Sequence, residues 1–233
     1  MSNGDHQINL DDRRIRERAG STLQQSYFML VSILQGVAIY MLIDQSVDSL
    51  KSVPPATVWV STLSRALLLF MVIAQVTFQY TWISIWGTRM PSPRDTVLPL
   101  SLGAAEILSV RLISYTTAFW VAFTVFLIVA NIAWWSTRSR LANEPLGSAE
   151  SEVISSIRAY SLISKISLLV SGLAMVSVLL CIFAPTTDAW LIQEWISIGA
   201  QIILTAACGT MFFLATKSLR LISGLLLPAN AAK

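Results

Sequence analysis

The amino-acid sequence predicts an all-α fold, a polytopic membrane helix bundle of about six transmembrane helices arranged as three hairpins. Hydrophobic residues make up 55% of the 233 residues and charged residues only 12%, whereas a typical soluble domain carries about 25% charged residues. The apolar residues form stretches that can each cross a bilayer core about 30 Å thick. Lysine and arginine lie mainly beside these stretches, as membrane anchoring requires. These observations favour a membrane protein over a soluble domain.

Six apolar segments follow one another between two polar termini. We expect a polar N-terminal tail at residues 1–22, a transmembrane domain at 23–216 and a short basic C-terminal tail at 217–233. Within the domain we expect spans at about 25–43, 58–86, 96–113, 117–135, 152–184 and 190–215. The breaks between segments carry proline, glycine or clustered polar residues, which commonly end helices.

The apolar stretch at residues 96–135 is too long for one span. As a single helix its forty or so residues would reach about 60 Å at 1.5 Å per residue, twice the thickness of the hydrocarbon core. We therefore expect two helices joined by a turn at residues 114–117. A re-entrant segment at 96–113 fits the same pattern, so six spans and four spans plus a re-entrant hairpin are both open.

Positive charges and tryptophans predict the orientation. With six spans and a cytoplasmic N-terminus, Lys51 is the only basic residue in the outer loops. The other basic residues outside the spans face the cytoplasm. All eight tryptophans then lie near helix ends, where an indole ring is half buried and its N–H finds a polar partner. A five-span arrangement loses the charge bias. We expect a multi-pass protein of the bacterial inner membrane, with both termini cytoplasmic.

No motif indicates catalysis or a cofactor. The chain has no P-loop, HExxH, GxSxG or CxxC pattern. Its two cysteines, Cys181 and Cys208, lie inside apolar segments, and its single histidine, His6, lies in the N-terminal tail. We expect no enzymatic activity, no cofactor and no metal site. The net charge of +3 does not indicate nucleic-acid binding, because the basic residues flank apolar segments.

Three charged residues stand out within the apolar spans: Arg65, Glu106 and Arg111. A charge at mid-helix costs about 2.5–3.5 kcal/mol on insertion scales, so it usually faces protein or water. We predict an intramembrane polar cluster in which Arg65 pairs with Glu106, while Arg111 extends toward the outer interface. The cluster is either a proton or cation site at Glu106 gated by arginine, or an ion pair that fixes helix register.

Four amides inside the spans form a second group of candidates. They are Gln35, Gln75, Asn131 and Gln201. Such side chains usually bond between helices, for about 0.6 kcal/mol each. We predict inter-helix polar contacts for all four. Gln35 and Gln75 lie at similar depth in adjacent spans, so a direct bond between them is expected.

Two function classes follow. The first is a non-catalytic membrane component, an accessory subunit, sensor or scaffold whose partners are the lipid bilayer and another membrane protein or a second copy. It is favoured because the spans contain few polar residues. The alternative is a small transporter or an ion or proton channel that uses the cluster of Glu106 and Arg65. The position of Glu106 near mid-depth supports the alternative.

Overall fold

The computed structural model describes residues 25, 29–49, 51, 55–86, 93–141, 150–183 and 188–226. Within these ranges the chain forms six α-helices and no β-strand, which confirms the all-α prediction. The helices are α1 (Met29–Ser49), α2 (Ala56–Trp86), α3 (Pro93–Arg111), α4 (Thr116–Leu141), α5 (Glu150–Phe183) and α6 (Ala189–Leu226). The predicted N-terminal tail lies outside the described residues, and residues 217–226 of the predicted C-terminal tail continue α6.

Five of the helices are long and apolar enough to cross a membrane: α1, α2, α4, α5 and α6. The remaining helix, α3, has 19 residues and is about 28 Å long at 1.5 Å per residue. Its length suits a span, but its composition is less apolar, because it contains Arg94, Asp95, Glu106 and Arg111. Five helices support the multi-pass prediction, and the one predicted span outside this group is the charged helix α3.

The long apolar stretch divides into two helices, as expected. Helix α3 ends at Arg111, and α4 begins at Thr116 after a short turn at residues 112–115. In this turn the Tyr115 N–H donates to the Leu112 carbonyl at 3.0 Å, and the Tyr115 carbonyl accepts from the Phe119 N–H at 2.8 Å. These two bonds satisfy part of the backbone groups freed at the helix ends. We call this end of the bundle the turn end.

Side-chain contacts show the relative directions of the helices. In α2 with α6, in α4 with α6 and in α1 with α3, residue numbers rise together in both partners, so these pairs are parallel. In α4 with α5 the numbers run oppositely, so this pair is antiparallel. The contacts are Ser64–Gln201 and Phe78–Phe212 for α2 with α6, Thr116–Glu194 and Trp120–Ser197 for α4 with α6, Gln35–Glu106 and Ser49–Ser114 for α1 with α3, and Thr124–Ser171 and Asn131–Ser164 for α4 with α5. Helices α2, α4 and α6 all begin at the turn end.

Helix α4 packs mainly against α3 and α5 and also touches α6. Its buried face carries a column of aromatic rings from the adjacent Phe119 and Trp120 and from Phe123 and Phe126, which follow at intervals of three or four residues. That spacing places them on one side of a helix. Neighbouring centroids lie 5.5–6.1 Å apart, within the range of favourable aromatic pairs.

The outer surface of the bundle is apolar. On α5 the exposed side chains include Leu162, Leu169, Leu173 and Leu180. A monomeric soluble protein rarely exposes apolar patches of this extent, but lipid tails accommodate them. The surface therefore agrees with a membrane-embedded bundle.

Candidate functional site

Arg65 is the central residue of the polar site at the turn end. Its side chain lies on the inward face of α2 and is only 1% exposed. One terminal nitrogen, Nη1, donates to the Ile113 carbonyl at 2.7 Å. The other, Nη2, lies 2.7 Å from Ser61 Oγ and 2.6 Å from Thr116 Oγ1. A guanidinium offers several donors in a fixed plane, so this single side chain links α2 to the α3–α4 turn and to the first residue of α4.

Glu194 supplies the opposite charge. Its Oε2 lies 2.7 Å from Arg65 Nη2, and its Oε1 accepts a hydrogen bond from Thr116. The Phe119 ring lies below the guanidinium, with its centroid 5.6 Å from Cζ, within the range of a cation–π contact. Breaking such a pair strands a charge in a low-dielectric interior. The ion pair therefore ties α2, α4 and α6 together at the turn end.

A chain of neutral hydrogen bonds continues from the ion pair toward the middle of the bundle. Ser64 on α2 donates to the amide oxygen of Gln201 on α6. The Gln201 amide nitrogen donates to Ser197 Oγ at 2.6 Å, and Trp120 Nε1 donates to the same oxygen at 3.0 Å. The same three helices are thus joined a second time, by groups without charge.

The structure corrects the predicted pairing of Arg65 with Glu106. Arg65 meets the end of α3 at Ile113. Glu106 lies seven positions earlier, about 10 Å away along a helix at 1.5 Å per residue. Arg111 is exposed at the C-terminal end of α3. The three residues predicted as one cluster therefore occupy three separate environments.

Glu106 forms a second polar site between α1 and α3. It is fully buried, with 0% exposure, and its Oε2 accepts a hydrogen bond from Gln35 Nε2 at 2.9 Å. The inward face of α3 consists of residues three or four apart, namely Leu102, Ala105, Glu106, Ser109 and Val110. Beside it, a Cβ on Gly103 would lie 3.0 Å from Leu34 Cδ1, so α1 and α3 approach closely here.

The four predicted amides each contact another helix, but not always the expected one. Gln35 bonds to Glu106 rather than to Gln75, so the predicted bond between the two glutamines is wrong. Gln75 on α2 lies 3.2 Å from the hydroxyl of Tyr160 on α5. The remaining two contacts are Asn131 with Ser164, at 3.0 Å between α4 and α5, and Gln201 with Ser64.

Sequence reasoning missed Glu194 and its neighbour Ser197. Glu194 follows the start of α6 by five residues, a position that resembles an interfacial residue when depth is counted along the chain. The sequence did contain a spacing signal, because three and four residues separate the polar side chains of Glu194, Ser197 and Gln201. That interval places them on one helix face, and Ser61 with Arg65 has the same interval on α2.

The described residues contain no group of three or more His, Cys, Asp or Glu that could hold a metal ion. Cys208 is buried and Cys181 half-buried, both as free thiols. The two polar sites can neutralise charge, fix helix packing and, at Glu106, accept a proton. Comparison of the chain with known protein families, with curated proteins and with solved structures finds no match.

Proposed function

We propose that the protein is a non-catalytic component of a cell membrane, a helical scaffold that acts through another membrane protein or a second copy of itself. The observation that carries this proposal is the ion pair of Arg65 and Glu194. Its two charges neutralise each other, and Ser61, Thr116 and the Ile113 carbonyl take up further hydrogen bonds. Charges engaged in this way hold helices together and leave little for a substrate.

The proposal includes six spans, cytoplasmic termini and a bacterial inner membrane. The helix directions support six spans, because α2, α4 and α6 share one direction while α1 and α3 run parallel to each other. The length of α3, about 28 Å at 1.5 Å per residue, supports a crossing as well. Of the charges in the second half of α3, Arg111 is the last residue of the helix, and Glu106 is buried and bonds to Gln35 on α1. The excess of basic residues on one side supports the orientation.

Removing both charges together tests the scaffold proposal. In the double variant Arg65→Leu/Glu194→Leu no charge is stranded, and replacing a buried ion pair by apolar residues is often neutral or stabilising. We expect it to insert, to fold and to complement a host strain that lacks the protein. The single variant Glu194→Leu leaves Arg65 unpaired and is expected to fold poorly. A double variant that is folded and abundant but does not complement would contradict a purely structural role.

A small transporter or proton channel is a second candidate, favoured by the succession of buried polar contacts along the bundle. Below the ion pair, Thr124 contacts Ser171 at 2.8 Å, and Gln75 contacts Tyr160 at 3.2 Å. Purified protein in phospholipid vesicles distinguishes the candidates. A scaffold leaves an imposed pH or sodium gradient as stable as in protein-free vesicles, whereas a transporter dissipates it.

A further inference from the structure

The contact between Glu106 and Gln35 leaves two buried oxygens without a hydrogen-bond donor. The two side chains share one bond, from Gln35 Nε2 to Glu106 Oε2. The other oxygen of each group, Oε1 in both cases, is buried and has no partner among the described residues. Both atoms are acceptors when the carboxyl is ionised. A buried acceptor without a donor costs about 1–3 kcal/mol, and more when it is charged.

Among the residues that the structure describes, no positive charge compensates an ionised Glu106. On α1 the group that faces it is the neutral Gln35. On α2 the nearest cation is Arg65, which bonds to Ile113, Ser61, Thr116 and Glu194. The described side chains of α4, residues 116–136, include no titratable group. On α3 itself Arg111 is exposed at the helix end. An isolated buried carboxylate tends to neutralise rather than remain charged.

We propose that Glu106 and Gln35 together form a proton-binding site, with the proton on Glu106 Oε1. The step is simple: the carboxylate takes one proton from water and becomes a carboxylic acid. The protonated Oε1 of Glu106 is then a donor. Its acceptor is the amide oxygen of Gln35, the side chain to which Glu106 already bonds. Oε2 continues to accept from Gln35 Nε2. A carboxylic acid and a primary amide match donor to acceptor twice, so one proton satisfies both orphaned atoms.

The bound proton links α1 to α3. The Glu106–Gln35 contact lies beside the close approach of Gly103 to Leu34, so the two helices meet there both through packing and through the polar pair. An ordinary glutamate titrates near pH 4.3, so at neutral pH the unfolded chain has already released this proton. The folded protein therefore binds more protons than the unfolded chain, and its stability falls as the pH rises and the site empties. The inference depends only on the packing of α1 and α3 and does not rest on the scaffold proposal.

Infrared difference spectroscopy of the purified full chain in phosphatidylcholine vesicles tests the site directly. At neutral pH in sodium-free buffer, the wild-type minus Glu106→Gln spectrum is expected to contain the C=O stretch of a carboxylic acid. In Gln35→Leu the band shifts to higher frequency, because the C=O at Oε2 loses its donor. A merely structural contact between ionised Glu106 and Gln35 produces no such band. A difference spectrum that contains only carboxylate bands overturns the proposal.

Three further measurements keep the test decisive. Ser109→Ala, a buried change on the same face of α3, is expected to leave the band in place. Addition of sodium ions is also expected to leave it unchanged, and its loss would identify a cation site instead. Glu106→Gln mimics the protonated acid, so this variant is expected to fold and to lose the fall in stability that accompanies rising pH. Should it fail to fold, the Gln35→Leu shift on wild-type Glu106 still decides, and an unshifted band counts against the site.

Discussion

The guanidinium of Arg65 lies 2.7 Å from the carboxylate of Glu194, a residue 129 positions later in the chain. The contact joins the second helix to the last, so it closes the bundle across most of its sequence. Thr116 bonds to both members of the pair, which brings the start of α4 into the same junction. This junction is a point at which α2, α4 and α6 all meet.

Removal of the carboxylate is expected to be among the most damaging substitutions in the bundle. Glu194→Ala leaves the Arg65 charge buried without a partner, which typically costs about 3–5 kcal/mol. Ser61→Ala removes only one neutral acceptor and is expected to cost about 1 kcal/mol. Unfolding in mixed micelles with increasing denaturing detergent measures both. Equal stabilities for the two variants would show that the ion pair contributes no more than a hydroxyl.

Two buried serines are expected to respond in opposite ways to the same change. Ser197 Oγ accepts from Trp120 and from Gln201, so Ser197→Ala strands two buried donors at about 1–3 kcal/mol each. Ser167 Oγ is buried without a partner among the described residues. Ser167→Ala therefore removes an unsatisfied group and is expected to be neutral or stabilising. Thermal unfolding of the two purified variants compares them, and equal losses would contradict the assignment of partners.

A large side chain at position 103 is expected to separate α1 from α3. Even a Cβ added to Gly103 would lie 3.0 Å from Leu34 Cδ1. Gly103→Leu therefore overpacks the contact, at a typical cost of about 1–3 kcal/mol. Gly36 is exposed on α1, with nothing within 4 Å of its added Cβ. Gly36→Leu serves as the matched control and is expected to retain wild-type stability. Cross-linking of cysteines introduced into α1 and α3 measures the separation, and identical yields would contradict it.

The ion pair of Lys51 with Asp48 is expected to matter little. Lys51 Nζ lies 2.8 Å from Asp48 Oδ1, but both side chains are mostly exposed. The hydrogen bond to Asp48, followed by that residue's charge, raises the pKa of Lys51. The contact thus favours folding below the ordinary lysine pKa, and this contribution disappears as the pH rises through the elevated value. Lys51→Ala is expected to leave the melting temperature at pH 7 unchanged, and a clear decrease would show that the pair is less solvated than its exposure indicates.

Reporter fusions test the proposed topology. With six spans, a reporter fused after Lys233 and one inserted within residues 142–149 both lie in the cytoplasm, whereas one inserted within residues 52–54 lies outside. In this arrangement α3 crosses the membrane in spite of its charges, which returns α4 to the cytoplasmic side at residues 142–149. Activity of an alkaline phosphatase, which requires export, measures each position. An external location for both of the first two reporters would mean that α3 does not cross.

The membrane fold could be predicted from the sequence because it depends on composition and segment length. The division of the apolar stretch, predicted at residues 114–117 and found at 112–115, followed from the thickness of a bilayer. The pairing of Arg65 with Glu194 could not be predicted in the same way. Partner choice depends on how each helix is rotated about its axis. In a membrane the outward face is as apolar as the inward one, so hydrophobic contrast gives little information about that rotation.

The environment of Glu106 could be predicted only in part. Its burial was predictable from its charge inside an apolar span, but its partner was not. The contact with Gln35 arises because α1 runs parallel to α3 and approaches it at Gly103. This neighbour relation is a property of the bundle and has no signature in either helix alone.

The contact of α2 with α6 also has a consequence for biosynthesis. A ribosome adds about 5–20 residues per second, so the 129 positions between Arg65 and Glu194 take roughly 6–26 s to synthesise at that rate. During this interval Arg65 enters the membrane without its carboxylate. Helix α2 must therefore be accommodated by the insertion machinery, by water or by lipid headgroups until the last helix emerges, and the assembly of this bundle is completed only after translation of its final span.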